Sequence, residues 1–363
     1  MAQKYGSKFI NYVLLILKLH FFPLMSNFTL LIVDWYRLNK RNLPWRSESN
    51  PYFIWLSEII LQQTRVDQGM AYYLTFTKNY PTVLDLANAK EQDVLNDWQG
   101  LGYYSRARNL HFSAKYIQNE LNGVFPTTYT EILKLKGVGK YTAAAISSFA
   151  FNEKRAVVDG NVYRFLSRVF DLDTPIDSSA GIKEFQKLAD TLIPEINPGE
   201  HNQAMMEMGA SVCTPKNPKC NACPVNEKCL SLAKNTINNR PVKKGKTKTT
   251  DRYFHFLIFK SEENTIIEQR IGKGIWQNMF QFPLIETLNI NDKPDLTSFK
   301  NKTFESTPIK HILSHQRIYA TFHHFDSLPD QAAQKRLTIK QSDIQEYPLP
   351  RIIDRYLEEQ DVF

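Results

Sequence analysis

The 363-residue chain has little cysteine: four residues, all between positions 213 and 229. A secreted protein held by disulfides would distribute its cysteines along the chain, so this crowding indicates a reducing compartment and a metal site. The spacing is C-x6-C-x2-C-x5-C, formed by Cys213, Cys220, Cys223 and Cys229. Zinc sites usually pair two C-x-x-C units, whereas four thiolates in one compact loop suit an iron–sulfur cube. On spacing alone, both metals remain open.

Long apolar runs are missing outside the extreme N terminus. Residues 9–25 (FINYVLLILKLHFFPLM) follow two lysines and resemble the basic and apolar regions of a signal peptide. Lys18 interrupts this run, no A-x-A site follows, and the run is too short for a membrane helix. We therefore expect a cytoplasmic protein without a membrane partner. Residues 1–25 are expected to be an N-terminal extension, with an upstream start codon as the source of residues 1–24.

Strand-like alternation is scarce between residues 26 and 233, where apolar residues recur at spacings of three and four. The spacing predicts helices over 28–38, 53–62, 83–98, 105–121, 129–135, 141–150, 161–169 and 182–193. Residues 234–250 contain six basic and no acidic residues, which predicts a solvated linker. After residue 251, RYFHFLIFK returns through a turn as TIIEQR, and HILSHQRIYATFHHF is also strand-rich, so 251–363 is predicted to be an α+β domain.

Acidic residues are outnumbered, with a net charge of +8 and an isoelectric point near 9.1, which favours an anionic partner such as nucleic acid. A P-loop is absent from LKGVGKYTAAAIS (135–147), because Lys134 and Tyr141 occupy its required Gly and Ser/Thr positions. Gly137 and Gly139 still allow backbone N–H groups to approach an anion at the N terminus of the next helix. Tight packing alone would also explain these glycines.

Two carboxylates differ in their predicted surroundings. Glu58 lies within an apolar run, where burial would raise its pKa and suit it to general-acid catalysis. A structural glutamate paired with an arginine is the alternative. Asp159 precedes Gly-Asn and a helix, so it needs no role beyond an N-cap, although cap hydrogen bonds would also lower its pKa. A protonated Glu opposite an ionised Asp is the pair that hydrolyses a glycosidic bond.

These motifs together resemble the helix–hairpin–helix DNA glycosylases of the endonuclease III superfamily, and most closely the adenine DNA glycosylase family. The matching stretches are LPWR (43–46), WLSEIILQQTRV (55–66), GLGYYSRARNL (100–110), LKGVGKYTAAAI (135–146), VVDGNVYR (157–164), NQAMMEMGA (202–210) and the cysteine loop. The resemblance implies a mainly α fold. A two-lobed helical glycosylase domain would span 26–233, with its helix–hairpin–helix motif at 135–147 and an iron–sulfur loop at 213–229. A C-terminal α+β Nudix-like domain would span 251–363.

The resemblance also implies an activity: flipping adenine mispaired with 8-oxoguanine or guanine out of double-stranded DNA, and hydrolysing its N-glycosidic bond. Glu58 would protonate adenine N7 and handle the water, Asp159 would stabilise the oxocarbenium-like sugar, and Tyr141 and Asn161 would organise both carboxylates. The remaining implied roles are an adenine pocket of Arg41, Trp45, Arg46 and Gln203; a wedge of Leu61, Gln63 and Tyr103; a phosphate grip of Gly137, Gly139 and Lys140; and a [4Fe–4S] cluster on the four cysteines.

Two departures refine this expectation. Bifunctional members of the superfamily place a Lys nucleophile at the second residue after the G-V-G turn, where this chain has Tyr141, so the resemblance implies a monofunctional enzyme. GKGIWQNMFQFP (272–283) matches the Nudix-like domain, but a catalytic box of glutamates is absent, so pyrophosphatase activity is not expected.

Reading of 8-oxoguanine is expected from Leu313, Ser314 and His315, where Leu313 replaces the aromatic residue that the family often has.

Three other functions remain as alternatives. The first is an endonuclease III-type glycosylase with lyase activity on oxidised pyrimidines, which Tyr141 and the C-terminal domain oppose. The second is a non-catalytic iron–sulfur DNA-binding module, which would require Glu58 and Asp159 to be purely structural. The third is a Nudix hydrolase with a helical appendage, which the missing glutamate box opposes. We expect the protein to be a monomer associated with the nucleoid.

Overall fold

The computed structural model describes residues 27–245, 249–329, 336–360 and 362–363. The predicted N-terminal extension over 1–25 lies outside these residues. Within the described ranges, no helix is long and apolar enough to cross a membrane.

Helices dominate the first two thirds of the chain, as predicted. The α-helices are α1 (Phe28–Asn39), α2 (Pro51–Ile60), α3 (Val66–Asn79), α4 (Val83–Asn88), α5 (Glu91–Asp97), α6 (Ser105–Glu120), α7 (Tyr129–Ile132), α8 (Lys140–Phe151), α9 (Gly160–Val169), α10 (Ser179–Leu192), α11 (Pro198–Glu207), α12 (Leu230–Ala233) and α13 (Arg351–Gln360). A π-helical turn (Met208–Val212) continues α11, and short 3-10 turns include Pro44–Arg46 and Ile237–Asn239.

Apolar spacing did not predict α3 and α11, and both helices have a glycine in their first turns. Glycine lowers helix propensity, which weakens the sequence signal. Packing explains its presence: a Cβ on Gly69 would lie 2.7 Å from Leu61 Cδ2, and one on Gly199 would lie 2.5 Å from the Ser148 carbonyl oxygen. The single helix predicted over 83–98 is instead two, α4 and α5, because the chain is extended at Ala89.

Contacts divide the chain into two compact units. The first comprises 27–59 and 124–245 of the described residues and contains α1, α2 and α7–α12. Its largest hydrophobic core is formed by α1, α9, α10 and α11, with Phe28, Phe165 and Phe185 among its fully buried side chains. The rings of Phe28 and Phe165 stack with their centroids 6.0 Å apart. This core holds α9, the helix that Asp159 precedes.

The second unit comprises residues 60–123 and the described residues after 248, so it joins α3–α6 to the C-terminal β-sheet. The strands are β1 (Thr250–Ser261), β2 (Asn264–Gln269), β3 (Phe280–Gln281), β4 (Leu284–Thr287), β5 (Lys302–Glu305), β6 (Ile309–Ile312), β7 (Gln316–Phe325) and β8 (Arg336–Lys340). The central strand β1 pairs parallel with β7 and antiparallel with β4. The predicted hairpin is present as β1–β2, where Ser261 pairs with Asn264. Helix α13 covers one face of the sheet, stacking Tyr356 on Phe322 at 3.7 Å.

The unit boundaries differ from the domain boundaries that the sequence predicts. Residues 60–123 are predicted to belong to the helical domain, but their contacts group them with the C-terminal residues. Three hydrogen bonds illustrate this: Asn96 Nδ2 to the Glu346 carbonyl at 2.6 Å, the Leu349 amide to Gln99 Oε1 at 3.1 Å, and Arg108 Nη1 to the Gln277 carbonyl at 2.8 Å. The domain boundary that the sequence places at the linker 234–250 therefore stays a prediction.

The predicted linker over 234–250 is held to the first unit along much of its length. The Ile176 amide donates to the Val242 carbonyl at 3.0 Å, and the Lys244 amide donates to Asp177 Oδ1 at 2.7 Å. Arg240 forms an ion pair with Asp171 at 3.0 Å. Backbone and charged groups of the linker thus have protein partners up to residue 244, while the role of 234–250 as a linker stays a prediction.

Candidate active site

The carboxyl group of Glu58 lies deep in the apolar helix α2. Residues 54–60 are all buried, and Glu58 itself is only 9% exposed. The pKa of Glu58 is raised to about 7, mainly by burial; the hydrogen bond with Tyr141 opposes the rise and the nearby charge of Asp159 adds to it. The carboxyl therefore exchanges its proton near neutral pH, which is the property that the sequence predicted for a general acid.

Asp159 occupies the N-cap position of α9. Its Oδ1 accepts the Val162 amide at 2.7 Å and its Oδ2 accepts Asn161 Nδ2 at 2.8 Å. The sequence predicted that these cap bonds would lower the pKa of Asp159, and this expectation is wrong in direction. Burial outweighs the hydrogen bonds and raises the pKa of Asp159 above its ordinary value. A positive charge placed beside Asp159 would reverse this shift by favouring the carboxylate.

Tyr141 and Asn161 each form a hydrogen bond with one of the two carboxyl groups. Tyr141 is the second residue of α8, its hydroxyl is hydrogen-bonded to Glu58, and burial and the two nearby carboxyl charges raise its pKa well above 10. Asn161 donates to Asp159 and accepts a hydrogen bond from Arg164 Nη2 at 2.8 Å. The structure thus brings together all four residues that the sequence analysis placed at the catalytic centre.

Two arginines of α9 extend this network to the cysteine loop, and sequence reasoning assigned them no role. Arg164 donates through Nε to the Cys213 carbonyl and through Nη2 to the Gly209 carbonyl, both at 2.7 Å. Arg168 donates to the Thr214 carbonyl at 2.7 Å and approaches Cys213 Sγ at 3.5 Å. Their i, i+4 spacing places both on one face of α9.

The predicted pocket residues are organised by a buried carboxylate that the sequence analysis missed. Glu207 has a fully buried side chain, and Arg41 donates to its two oxygens at 2.8 and 2.9 Å, while Arg46 donates to Oε2. Burial alone would raise the pKa of Glu207, but the two arginines lower it. Gln203 Oε1 accepts a hydrogen bond from the Tyr36 hydroxyl. The sequence signal that could have identified Glu207 is a single acidic residue within the largely apolar stretch NQAMMEMGA (202–210).

Backbone geometry places this pocket beside the catalytic centre. A Cβ on Gly209 would lie 2.5 Å from the carbonyl oxygen of Asn161, so only glycine fits at this contact. Glu207 is two residues before Gly209, at the end of α11. Trp45 lies in the same 3-10 turn as Arg46. The resulting site presents carboxylate, guanidinium and amide groups near the pair formed by Glu58 and Asp159.

The G-V-G turn has the geometry of an anion site at a helix N terminus. Gly137 has φ +83°, a left-handed conformation that favours glycine. Gly139 is the N-cap of α8, and a Cβ there would meet no atom within 4 Å, so the backbone faces open space. Lys140, the first residue of α8, is exposed. These features allow close approach of a phosphate, as predicted from the sequence.

The residues predicted to wedge DNA and to read the lesion occur together in the second unit. Gln63 and Tyr103 are exposed and both have left-handed backbones, with φ +58° and +49°. The Tyr103 hydroxyl is hydrogen-bonded to Ser314 Oγ, which links the two predicted sets directly. Leu61 differs from the others because its side chain packs against Gly69. The tight turn between β6 and β7 that carries Ser314 is closed by the Leu313 amide donating to the Gln316 carbonyl at 2.8 Å.

The four cysteines line a single pocket. Burial raises the pKa of Cys213 and Cys229, and raises that of Cys223 to about 12, so these thiols hold their protons unless a bound cation displaces them. Across the described residues, no group of three or more His, Cys, Asp or Glu side chains is arranged to hold a metal ion. Four thiols around one pocket form a donor set that suits an iron–sulfur cluster or a zinc ion.

Comparison with known sequences defines the class of protein. The profile of the HhH-GPD superfamily of base excision DNA repair proteins matches residues 56–190, and the profile of the NUDIX domain matches residues 254–359. A thermostable thymine-DNA glycosylase is 30% identical, with a TM-score of 0.54 over 58% of this chain and 98% of that one. An endonuclease III–DNA complex, at 22% identity and a TM-score of 0.50, shares the fold. The chain is a helix–hairpin–helix DNA N-glycosylase with a C-terminal Nudix-like domain.

Full-length relatives narrow the class to a family. The adenine DNA glycosylase of Buchnera aphidicola subsp. Baizongia pistaciae is 37% identical over 294 residues, covering 79% of this chain and 83% of that protein. The adenine DNA glycosylase of Homo sapiens is 42% identical over 207 residues, covering 54% of this chain and 38% of that protein. The chain belongs to the adenine DNA glycosylase family. The resemblance inferred from the sequence motifs is thereby confirmed.

The burial of Glu58 predicts a pH-dependent cost in stability. Because its folded-state pKa is about 7 and its ordinary value is 4.5, the folded protein holds this proton over a range where the unfolded chain has lost it. The free energy of unfolding therefore falls as pH rises from 4.5 to 7, by about 3 kcal/mol at roughly 1.4 kcal/mol per pH unit. Glu58→Gln should raise the melting temperature by several degrees at pH 8 and change it little at pH 4.5.

Thermal denaturation followed by circular dichroism at both pH values measures this difference. Glu184→Gln, which neutralises an exposed glutamate of α10, is the matched control and should show no such pH dependence. A lower melting temperature for Glu58→Gln at pH 8 would contradict the burial cost.

Proposed function

We propose that the enzyme is a monofunctional glycosylase that hydrolyses the N-glycosidic bond of adenine opposite 8-oxoguanine or guanine in duplex DNA. The observation that carries this proposal is the pair of carboxyl groups, in which Glu58 has a pKa of about 7 and lies near Asp159. The relatives are named adenine DNA glycosylases, which supports adenine as the base that is released. A carboxyl that titrates near neutral pH can protonate a leaving base and then accept a proton from water.

In the proposed reaction, Glu58 donates its proton to N7 of the flipped adenine. The bond between N9 and C1′ then breaks, its electron pair stays with the departing base, and positive charge develops on the sugar. Asp159 acts as a carboxylate that stabilises this cation, and the positive charge on the sugar opposes the burial that raises the pKa of Asp159. Glu58 then takes a proton from the water that adds to C1′. Tyr141 and Asn161 hold the two carboxyl groups through the hydrogen bonds already described.

The adenine pocket is proposed to consist of Arg41, Trp45, Arg46 and Gln203, with Glu207 fixing the two arginines. Adenine presents an exocyclic amino donor and ring-nitrogen acceptors, which match the amide, carboxylate and guanidinium groups found here. Because Glu207 accepts three hydrogen bonds from Arg41 and Arg46, those side chains are held before the base arrives. This preorganisation supports binding of a planar base extruded from DNA.

Duplex DNA is the proposed partner, bound by a monomer in the cytoplasm at the nucleoid. The net charge of +8 supports an anionic partner. Gly137, Gly139 and Lys140 are proposed to grip a backbone phosphate without reading sequence. Leu61, Gln63 and Tyr103 are proposed to fill or pry open the duplex during base extrusion. The open space at Gly139 and the exposure of Gln63 and Tyr103 support these roles.

Monofunctional chemistry is proposed because Tyr141 occupies the position at which bifunctional members of the superfamily place a lysine. Tyr141, rather than a lysine, is hydrogen-bonded to Glu58. Lys140 lies one residue earlier on α8, so its side chain points about 100° away around the helix axis. Lys140 is also exposed, whereas Tyr141 is largely buried. This arrangement suits Lys140 to a phosphate contact and not to Schiff-base formation.

The wild-type enzyme should release adenine from duplexes with adenine opposite 8-oxoguanine or guanine, leave the abasic strand uncut, and release nothing from thymine glycol. Borohydride should not trap it on DNA, because a Schiff base requires a suitably placed amine. Tyr141→Lys should gain trapping, and Tyr141→Phe is the matched control that should not. Release from thymine glycol alone, or efficient trapping of the wild type, would overturn the proposal.

A [4Fe–4S] cluster held by Cys213, Cys220, Cys223 and Cys229 is the proposed cofactor. The shared pocket of four thiols and their compact, uneven spacing in the sequence support a cluster. When bound, the cluster supplies ligand bonds that deprotonate the buried thiols and fold the loop over 213–229. Arg168, which approaches Cys213 Sγ at 3.5 Å, is placed to compensate the negative charge of the thiolates.

Purified protein should therefore be brown and contain about four irons per chain. Cys223→Ser should lose the visible absorption, because a hydroxyl is a poorer ligand for iron than a thiolate. Metal analysis and absorption spectroscopy on anaerobically purified protein make the measurement. Colourless protein with stoichiometric zinc would refute the assignment.

Lesion reading is assigned to the turn formed by Leu313, Ser314 and His315. Ser314 and His315 carry hydroxyl and imidazole groups able to bond the N7–H and O8 that distinguish 8-oxoguanine from guanine. The hydrogen bond between Tyr103 and Ser314 supports this role, since it places the turn beside a proposed wedge residue. Leu313 is half-buried and lacks an aromatic ring, so it offers an apolar contact without stacking.

Combining Ser314→Ala with His315→Ala should lower the preference for adenine opposite 8-oxoguanine over adenine opposite guanine by roughly 10- to 100-fold, the value of one good base contact. Cleavage opposite guanine should change little. Single-turnover rates on the two duplexes give the ratio, and Ser298→Ala, at an exposed serine of the same unit, is the control. Full retention of the preference would place lesion reading elsewhere.

A further inference from the structure

Arg106 is a buried arginine that binds two separate turns of the second unit. It is the second residue of α6 and is only 9% exposed. Its Nη1 donates to the Ile60 carbonyl at 2.8 Å and to the Gln62 carbonyl at 2.7 Å. One nitrogen thus fixes both sides of the turn that ends α2.

The other terminal nitrogen of Arg106 binds the second turn as well as the first. Nη2 donates to Thr64 Oγ1 at 3.3 Å, to the Gly102 carbonyl at 3.2 Å and to the Leu101 carbonyl at 3.5 Å. A single planar guanidinium therefore bridges residues 60–64 and residues 101–102. These acceptors are neutral, and burial lowers the pKa of Arg106 to about 10, which leaves it charged at neutral pH.

Each of these turns contains a residue in an unfavourable backbone conformation. Gln63, between two of the acceptors of Arg106, has φ +58°, and Tyr103, directly after Gly102, has φ +49°. Non-glycine residues adopt left-handed conformations at a cost and keep them only where neighbouring contacts enforce them. The guanidinium of Arg106 also lies 5.5 Å from the centroid of the Tyr103 ring and 5.0 Å from that of Trp98.

We propose that Arg106 is a positioning residue for base extrusion, holding Gln63 and Tyr103 as one preformed wedge. This inference rests on the proposed function, in which these two residues enter the duplex while adenine leaves it. A preformed wedge lets the protein unstack the target base without first ordering two exposed turns. Lysine cannot replace Arg106, because an ammonium offers three donors from one point, whereas the guanidinium reaches both turns through a planar fork.

Arg106→Lys should slow single-turnover release of adenine by about tenfold or more, the fold-change for losing one charge-assisted hydrogen bond. A duplex with 2-aminopurine next to the target adenine reports unstacking by its fluorescence. The extrusion signal should fall together with the rate, measured at a temperature where circular dichroism shows the variant to be folded. Arg108→Lys, on the same helix but bonded to the Gln277 carbonyl, should change neither the rate nor the signal.

A double-mutant cycle distinguishes positioning from a general structural role. In a Tyr103→Ala background, Arg106→Lys should have a smaller effect on extrusion than in the wild type, because part of the wedge is already missing. If Arg106→Lys does not fold, Thr64→Val replaces it, since it removes one acceptor of Arg106 with little change in volume. Thr64→Val should lower the rate and the extrusion signal in parallel.

Three results would overturn the inference: unchanged cleavage by the folded variant, slowed cleavage with an undiminished extrusion signal, or effects that add fully with Tyr103→Ala. These outcomes are separable from failure of the proposed function. If wild-type protein released no adenine from either mispair, the proposed function would fall first. If the wild type were active and Arg106→Lys were equally active, only the role of Arg106 would be lost.

Discussion

The chemistry proposed for this enzyme depends on the burial of the Glu58 carboxyl group. Helix α2 buries it among apolar neighbours, which raises its pKa to about 7 and lowers the stability of the folded chain at higher pH. The hydrogen bond from Tyr141 moderates this shift, so the group can both give and take a proton near neutral pH. A side chain that cannot ionise would cost the folded protein less stability at this position, but it would have no proton to donate. The site thus exchanges stability for reactivity, as buried catalytic acids do.

Helix α9 links two parts of the site. Its N terminus is capped by Asp159, and its C-terminal half contacts the cysteine loop. Asp159 caps the N terminus, Arg164 binds the Cys213 carbonyl in the next turn, and Arg168 approaches Cys213 Sγ near the C terminus. At 1.5 Å per residue, the distance from the cap to Arg168 is about 14 Å. One helix therefore connects Asp159 to the cysteine loop, and a chain of hydrogen bonds runs from Asp159 through Asn161 and Arg164 to the Cys213 carbonyl.

Local signals in the sequence predicted most of the helices of the first two thirds, the hairpin, and Glu58 and Asp159, because each depends on neighbours in the chain, whereas Tyr141 and Asn161 came from the family resemblance. Glu58 could be recognised by its apolar run and Asp159 by its cap position. The direction of the pKa shift of Asp159 could not be predicted, since burial by distant segments outweighs its local hydrogen bonds. Glu207 and Arg106 were missed for the same reason: their partners are more than 40 residues away or on another turn. Long-range contacts also explain why residues 60–123 group with the C-terminal sheet.

The central claim is that Glu58 and Asp159 carry out glycosidic bond cleavage and are not merely structural. The most direct measurement is single-turnover adenine release by Glu58→Gln and Asp159→Asn, alongside their affinity for a duplex with adenine opposite 8-oxoguanine. Both substitutions keep the size of the side chain and remove its ability to titrate. The account predicts that each variant binds the duplex nearly as tightly as the wild type and releases no measurable adenine. Near wild-type release by either variant would contradict the role assigned to that residue.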